Sequence, residues 1–162
     1  MTGRLRVVVI GVGSEYRGDD GVGPAVLDLL SRVVPAGVVL VSSDGEPTRL
    51  VEAWSGTSTA IVVDAVAGSG SAPGALYRLD VATLGEQLPA ERGASTHDLG
   101  LGSAVALARV LDRMPGRLIV HGIQGADFSQ RVTLSPGVAA RIDDLVAAVL
   151  TDIRAAVASG PS

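Results

Sequence analysis

The chain contains no cysteine. That excludes a thiol nucleophile, a disulfide, an iron–sulfur cluster and any Cys-ligated zinc. Lysine is missing too, since all 13 basic side chains are Arg. Schiff-base chemistry, the phosphate-loop lysine and a Ser-Lys dyad are therefore excluded. No Gly-x-Ser-x-Gly segment marks a nucleophile elbow. Aromatic residues make up only 2% of the chain, too few for the base-stacking platforms of single-strand binders. Acidic residues outnumber basic ones 17 to 13, for a net charge of −4. That balance leaves no footprint for nucleic acid and no basic cluster for a membrane surface. No apolar run approaches the roughly 18 residues of a membrane span, and no signal-peptide h-region precedes the first strand. The expectation is a cytoplasmic protein with one domain over residues 1–162, large enough to bury a core without staples. Carboxylates, two histidines, hydroxyls and backbone amides remain to do chemistry.

The most informative stretch is Gly11-Val12-Gly13-Ser14-Glu15-Tyr16-Arg17-Gly18-Asp19-Asp20-Gly21-Val22-Gly23. It follows the Val/Ile-rich run Leu5 to Ile10, a buried strand. It precedes Pro24 to Val33, a helix with apolar residues at helical spacing. A glycine-hinged loop thus delivers two adjacent carboxylates to a helix start. A dinucleotide fingerprint does not fit, because Tyr16 stands where Gly-x-Gly-x-x-Gly needs its third glycine. Two acids would also repel a pyrophosphate.

Further strands are predicted at Val38 to Val41, Ala60 to Val63, Ala75 to Leu79 and Leu118 to Val120. Further helices are predicted at Pro47 to Trp54, Leu99 to Met114 and Pro136 to Val157. Strands alternating with helices imply a single-domain, three-layer α/β/α fold with a twisted, mostly parallel sheet. Ala75 to Leu79 follows the turn Ala67 to Gly74 too closely for a parallel crossover, so it should pair antiparallel.

Three chemically able residues fall at the ends of elements on one predicted edge. Asp20 ends the first loop, and Asp64 directly follows the run Ala60 to Val63. His97, in Ser95-Thr96-His97-Asp98, precedes a helix that starts from the same edge. Two carboxylates and an imidazole suit a borderline divalent ion with open coordination positions. Each residue also has a plainer use. Asp19 and Asp20 can favour a helix N-terminus by about 0.3–1 kcal/mol, Asp64 can be a turn residue, and His97 a capping or surface histidine. His121, after the last strand, is a rival ligand. Asp44, at another strand end, can position substrate or serve a turn.

The glycine loop with its Asp-Asp pair resembles that of the hydrogenase maturation endopeptidases. So do Ile61-Val62-Val63-Asp64-Ala65-Val66, Ala72-Pro73-Gly74, Thr96-His97-Asp98-Leu99-Gly100-Leu101, His121-Gly122-Ile123 and Leu134-Ser135-Pro136. The resemblance runs nearly the whole length of the chain. Ser14 stands where the family commonly has Asn, Glu46-Pro47 replace small residues, and Gln124-Gly125 replace an acidic residue and Pro. These departures fall in loops able to touch a substrate. The resemblance implies a peptidase that trims the C-terminus of a nickel–iron hydrogenase large subunit. Carried over by position, Asp20, Asp64 and His97 are its metal-contacting residues, with nickel supplied by the substrate rather than held permanently. The partner implied is a nickel-loaded large-subunit precursor, met by a monomer. Asp19 or another carboxylate would act as general base, and either the metal or a carboxylate would activate the water. The alternative is a non-catalytic docking or nickel-chaperone module for the same subunit.

Overall fold

The computed structural model describes residues 6–67, 71–81 and 101–159. Runs rich in β-branched residues build β1 (Val7–Val12), β2 (Val38–Ser43), β3 (Thr59–Val66) and β5 (Arg117–Gln124), while β4 (Leu76–Val81) has only Val81 of that kind. Their order is β2-β1-β3-β5-β4. The first three and β5 run parallel, while β4 pairs antiparallel with β5, as its short connection requires. The helices are α1 (Val22–Leu30), α2 (Pro47–Trp54), α3 (Gly102–Val110), α4 (Pro136–Ala139) and α5 (Ile142–Ala158). Among the described residues, no helix is long and apolar enough to cross a membrane.

Central strands buried on both faces divide the core into two layers. The row Ile10, Val62 and Val120 packs against α2 and α3, with Leu50, Trp54 and Val105. The adjacent row Val9, Ile61 and Ile119 packs against α1 and α5, with Val26, Leu145 and Val149. Close approach of α1 to β1 explains the first glycine and a later one. A Cβ on Gly11 would stand 2.6 Å from the Gly23 carbonyl oxygen, and one on Gly23 would stand 2.4 Å from that of Val12.

Several element ends differ from expectation. β3 does not stop at Val63; its ladder with β5 continues to Val66 opposite Gln124, so Asp64 lies within the strand. β5 likewise runs past Val120 and takes in His121. Helix α1 starts at Val22 and ends at Leu30, before the expected Val33. Helix α3 ends early because Asp112 turns to a positive φ of 56°; Leu99 and Gly100 lie outside the described residues. The long C-terminal helix is two helices. Arg141 leaves helical geometry (φ −108°, ψ 1°) between them, its guanidinium bonded to Asp144.

Candidate active site

From β1 the chain passes through α1 to β2 on one side, then returns to β3 on the other. The carboxyl ends of β1 and β3 therefore flank a topological switch point, the position where open α/β sheets leave a crevice for ligands. Asp20 comes from the loop after β1, and Asp64 from the last turn of the pleat in β3.

The loop reaches that crevice through Gly13. Its φ of 125° is open only to glycine, and a Cβ there would stand 2.0 Å from the carbonyl oxygen of Asp20. Folded this way, the Ser14 N–H donates to Asp20 Oδ2 at 2.9 Å. A 3₁₀ turn over Gly18–Gly21 carries both aspartates and packs against β3. On β3, Asp64 shares the α2–α3 face with Val62 and Val66. Its Oδ1 accepts the Ala65 N–H at 2.8 Å. Burial pushes the Asp64 carboxyl up to about 8, the charge of Asp20 adds to the rise, and the Ala65 N–H offsets only part of it. The structure thus brings Asp20 and Asp64 together. Among the described residues neither has a cationic partner. Such a pair can share a proton or accept a cation, and its oxygen donors fit a hard or borderline divalent ion.

His97 lies outside the described residues. Leu101, four positions later, is buried in the α2–α3 layer that also holds the residues flanking Asp64. Among the described residues there is no group of three or more His, Asp or Glu able to hold a metal ion.

Asp19 turns the other way. It has no exposed surface. Its Oδ2 accepts the Ala126 N–H at 2.7 Å, the Asp127 N–H at 3.0 Å and the Ser135 hydroxyl at 2.7 Å, while Oδ1 accepts the Ser135 N–H at 2.6 Å. Burial opposes its charge, but these donors together hold the carboxyl below the usual range. The backbone reinforces the junction, with Gly18 N–H donating to Arg131 O and Asp19 N–H to Asp127 O, both at 2.8 Å. Ser135 was legible only as part of Leu134-Ser135-Pro136. Nothing local signals a partner 116 positions away.

His121 is on the opposite face from Asp64, in the row of Ile119 and Ile123. Its Nε2 lies 2.6 Å from Asp152 Oδ2 on α5, and Arg78 of β4 grips the same carboxylate with two bonds of 3.0 and 2.8 Å. Burial holds the His121 pKa below its usual value against the pull of Asp152. The rival ligand is thus committed elsewhere. Asp44 is exposed, accepts the Glu46 N–H at 3.0 Å and pairs with Arg49, the geometry of a turn residue that starts α2.

Known proteins resemble this chain in sequence and in fold. A family model described as hydrogenase maturation protease matches residues 26–152. The hydrogenase 2 maturation protease of Escherichia coli (strain K12) is 25% identical over 154 residues, covering 93% of this chain and 92% of that one. The solved hydrogenase maturating endopeptidase HybD of E. coli superposes with a TM-score of 0.74 at 24% identity, covering 93% of each chain. A hydrogenase 2 maturation peptidase from a Thaumarchaeota archaeon gives a TM-score of 0.66 at 28% identity, covering 91% of this chain and 97% of that one.

Proposed function

The chain belongs to the hydrogenase maturation protease family, and from that premise we propose that it is an endopeptidase acting on the precursor of a nickel–iron hydrogenase large subunit. In this reading it removes a C-terminal extension and recognises the nickel already inserted in the substrate through Asp20, Asp64 and His97. The observation that carries the reading is the acid pair at the β1/β3 switch point, where Asp20 raises the pKa of Asp64 and no cation of the described chain answers either. A substrate-borne dication supplies the missing charge and displaces the proton from Asp64. His97, which lies outside the described residues, is assigned as the third group on the motif Thr96-His97-Asp98 alone.

Once the nickel is gripped, the scissile bond is held beside the site, which lowers the entropic part of the barrier. The same ion can polarise the carbonyl or acidify a water, and a carboxylate of the pair can take the proton, a contribution of about 10²–10⁴-fold. We assign Asp19 to fastening the loops rather than to proton transfer, because its oxygens already accept four hydrogen bonds in a site closed to water.

The test is incubation of the purified chain with nickel-loaded precursor, followed by mass spectrometry of its C-terminus. Wild type should shorten the precursor, and Asp20→Asn, Asp64→Asn and His97→Ala should each lose at least about 100-fold in rate while remaining folded. Binding without shortening at stoichiometric protein would favour the docking-module alternative. Unimpaired shortening by all three variants would overturn the assignment of the site.

A further inference from the structure

The two edges of the sheet are built differently. On β4, Arg78 and Asp80 are charged, Arg78 bonded to Asp152 of α5 and Asp80 to Arg117 of β5. Charges of this kind guard an edge against another strand. The other edge, β2, reads Val-Val-Leu-Val-Ser-Ser, with no charge, proline, glycine or bulge. It pairs regularly with β1 from Val38 to Ser43. The Gly13 N–H donates to the Ser43 carbonyl at 2.9 Å, so Val39, Val41 and Ser43 turn their backbone groups toward β1. By strand alternation, Leu40 and Ser42 turn theirs outward. Among the described residues nothing bonds those outward groups, and Val39 is 48% exposed.

Clefts open on both faces of this edge. One of about 620 Å³ lies against α1, lined by Leu40, Ser42, Leu27 and Leu134. The other, about 420 Å³, is lined by Val41, Ser43, Asp44, Arg49 and Gly13. Alternate side chains of an added strand would enter the two clefts in turn. The second cleft ends at Gly13, the hinge whose backbone packs against Asp20. An added strand would lie about 14 Å from β3, a span that about four extended residues cover.

We propose that the segment to be removed docks as a sixth strand on the outer edge of β2, running antiparallel to it from the acid pair downward. This deepens the peptidase reading and rests on it for the identity of the occupant. The reach of the cleft to Gly13, the hinge in contact with Asp20, favours the substrate's extension over a second copy of this chain.

The test uses the nickel-loaded precursor of the shortening assay and a synthetic peptide of its C-terminal extension. Saturating peptide should slow amide exchange at Leu40 and Ser42 at least about tenfold, with Val39 and Val41 unchanged. Ser42→Pro removes one outward donor at a place where an edge strand tolerates proline. It should raise KM for shortening about tenfold, the loss of roughly one hydrogen bond, with kcat within about twofold. Val39→Lys, which gives β2 the kind of charge that β4 carries, should act in the same direction and serves if the proline variant misfolds. Unchanged exchange at Leu40 and Ser42 with saturating peptide would overturn the proposal, as would wild-type KM in both variants. Protection of those amides in the protein alone, with a dimeric mass, would assign the edge to a second copy and also overturn it. Protection without shortening would sustain the docking and remove the peptidase reading; shortening without protection would do the reverse.

Discussion

A carboxylic acid that titrates near 8 in the folded chain holds a proton that the unfolded chain releases near pH 4. Between these values the native state binds more protons than the unfolded one, so stability falls as pH rises. The slope is about 1.4 kcal/mol per pH unit where the difference is one full proton, and it levels off above the folded pKa. Asp64→Asn removes this slope. The variant should therefore gain on wild type steadily from about pH 5 to about pH 8 in urea unfolding curves; parallel curves for the two proteins would contradict the raised pKa. Asp19 has the opposite sign. Its pKa is lowered, so its contribution is present above the ordinary carboxylate range and fades as pH falls through the folded value. Asp19→Ala leaves three N–H groups and a hydroxyl without their acceptor, buried at Ser135 and half-buried at Ala126 and Asp127, at an expected cost of about 3–5 kcal/mol. Trp54, the single tryptophan and fully buried, reports that unfolding by fluorescence. A loss under about 1 kcal/mol would mean that other groups fasten the loops.

Strands β3 and β5 were legible from their β-branched runs, but their ends were not. Asp64 and His121 each read as the polar residue that closes a strand, yet the ladder runs on through both. Each polar side chain is accommodated by something distant in the chain: Asp64 by the crevice with Asp20, His121 by Asp152 on α5, 31 positions away. Local composition carries no trace of such partners. The same holds for the break between α4 and α5, where one apolar stripe spans two helices. Because His121 and Asp64 face opposite layers, the Arg78–Asp152–His121 cluster should serve stability and not hydrolysis. Asp152→Ala is expected to cost about 2–4 kcal/mol by stranding a buried imidazole and half a guanidinium. Shortening by the folded fraction should stay within about threefold of wild type. A hundredfold loss of kcat with the fold intact would place His121 in the working site after all.

The acid pair was legible because the order of strand, loop and acid along the chain maps directly onto one edge of a parallel sheet. Its position at the switch point follows from topology, with Asp20 and Asp64 delivered by neighbouring strands that part toward opposite sides. That architecture supplies two oxygen donors from rigid elements and leaves the remaining coordination positions to whatever arrives. A site of this kind has little reason to keep an ion of its own. Two carboxylates, one of them protonated near neutrality, compete poorly with water for a free dication. In the proposed reading, an ion carried by a docked precursor is instead presented at high effective concentration. Chelation of the free protein should thus leave its Tm within about 1 °C, since on the proposed reading the free native state binds no ion and gains no linkage energy from one. Nickel-free precursor should be shortened at least about 100-fold more slowly than the loaded form, with the full-length C-terminus counted by mass spectrometry. If a chelator lowered the Tm by several degrees, the ion would belong to the enzyme, and recognition of the precursor would have to reside in the β2 edge and its clefts rather than in the metal.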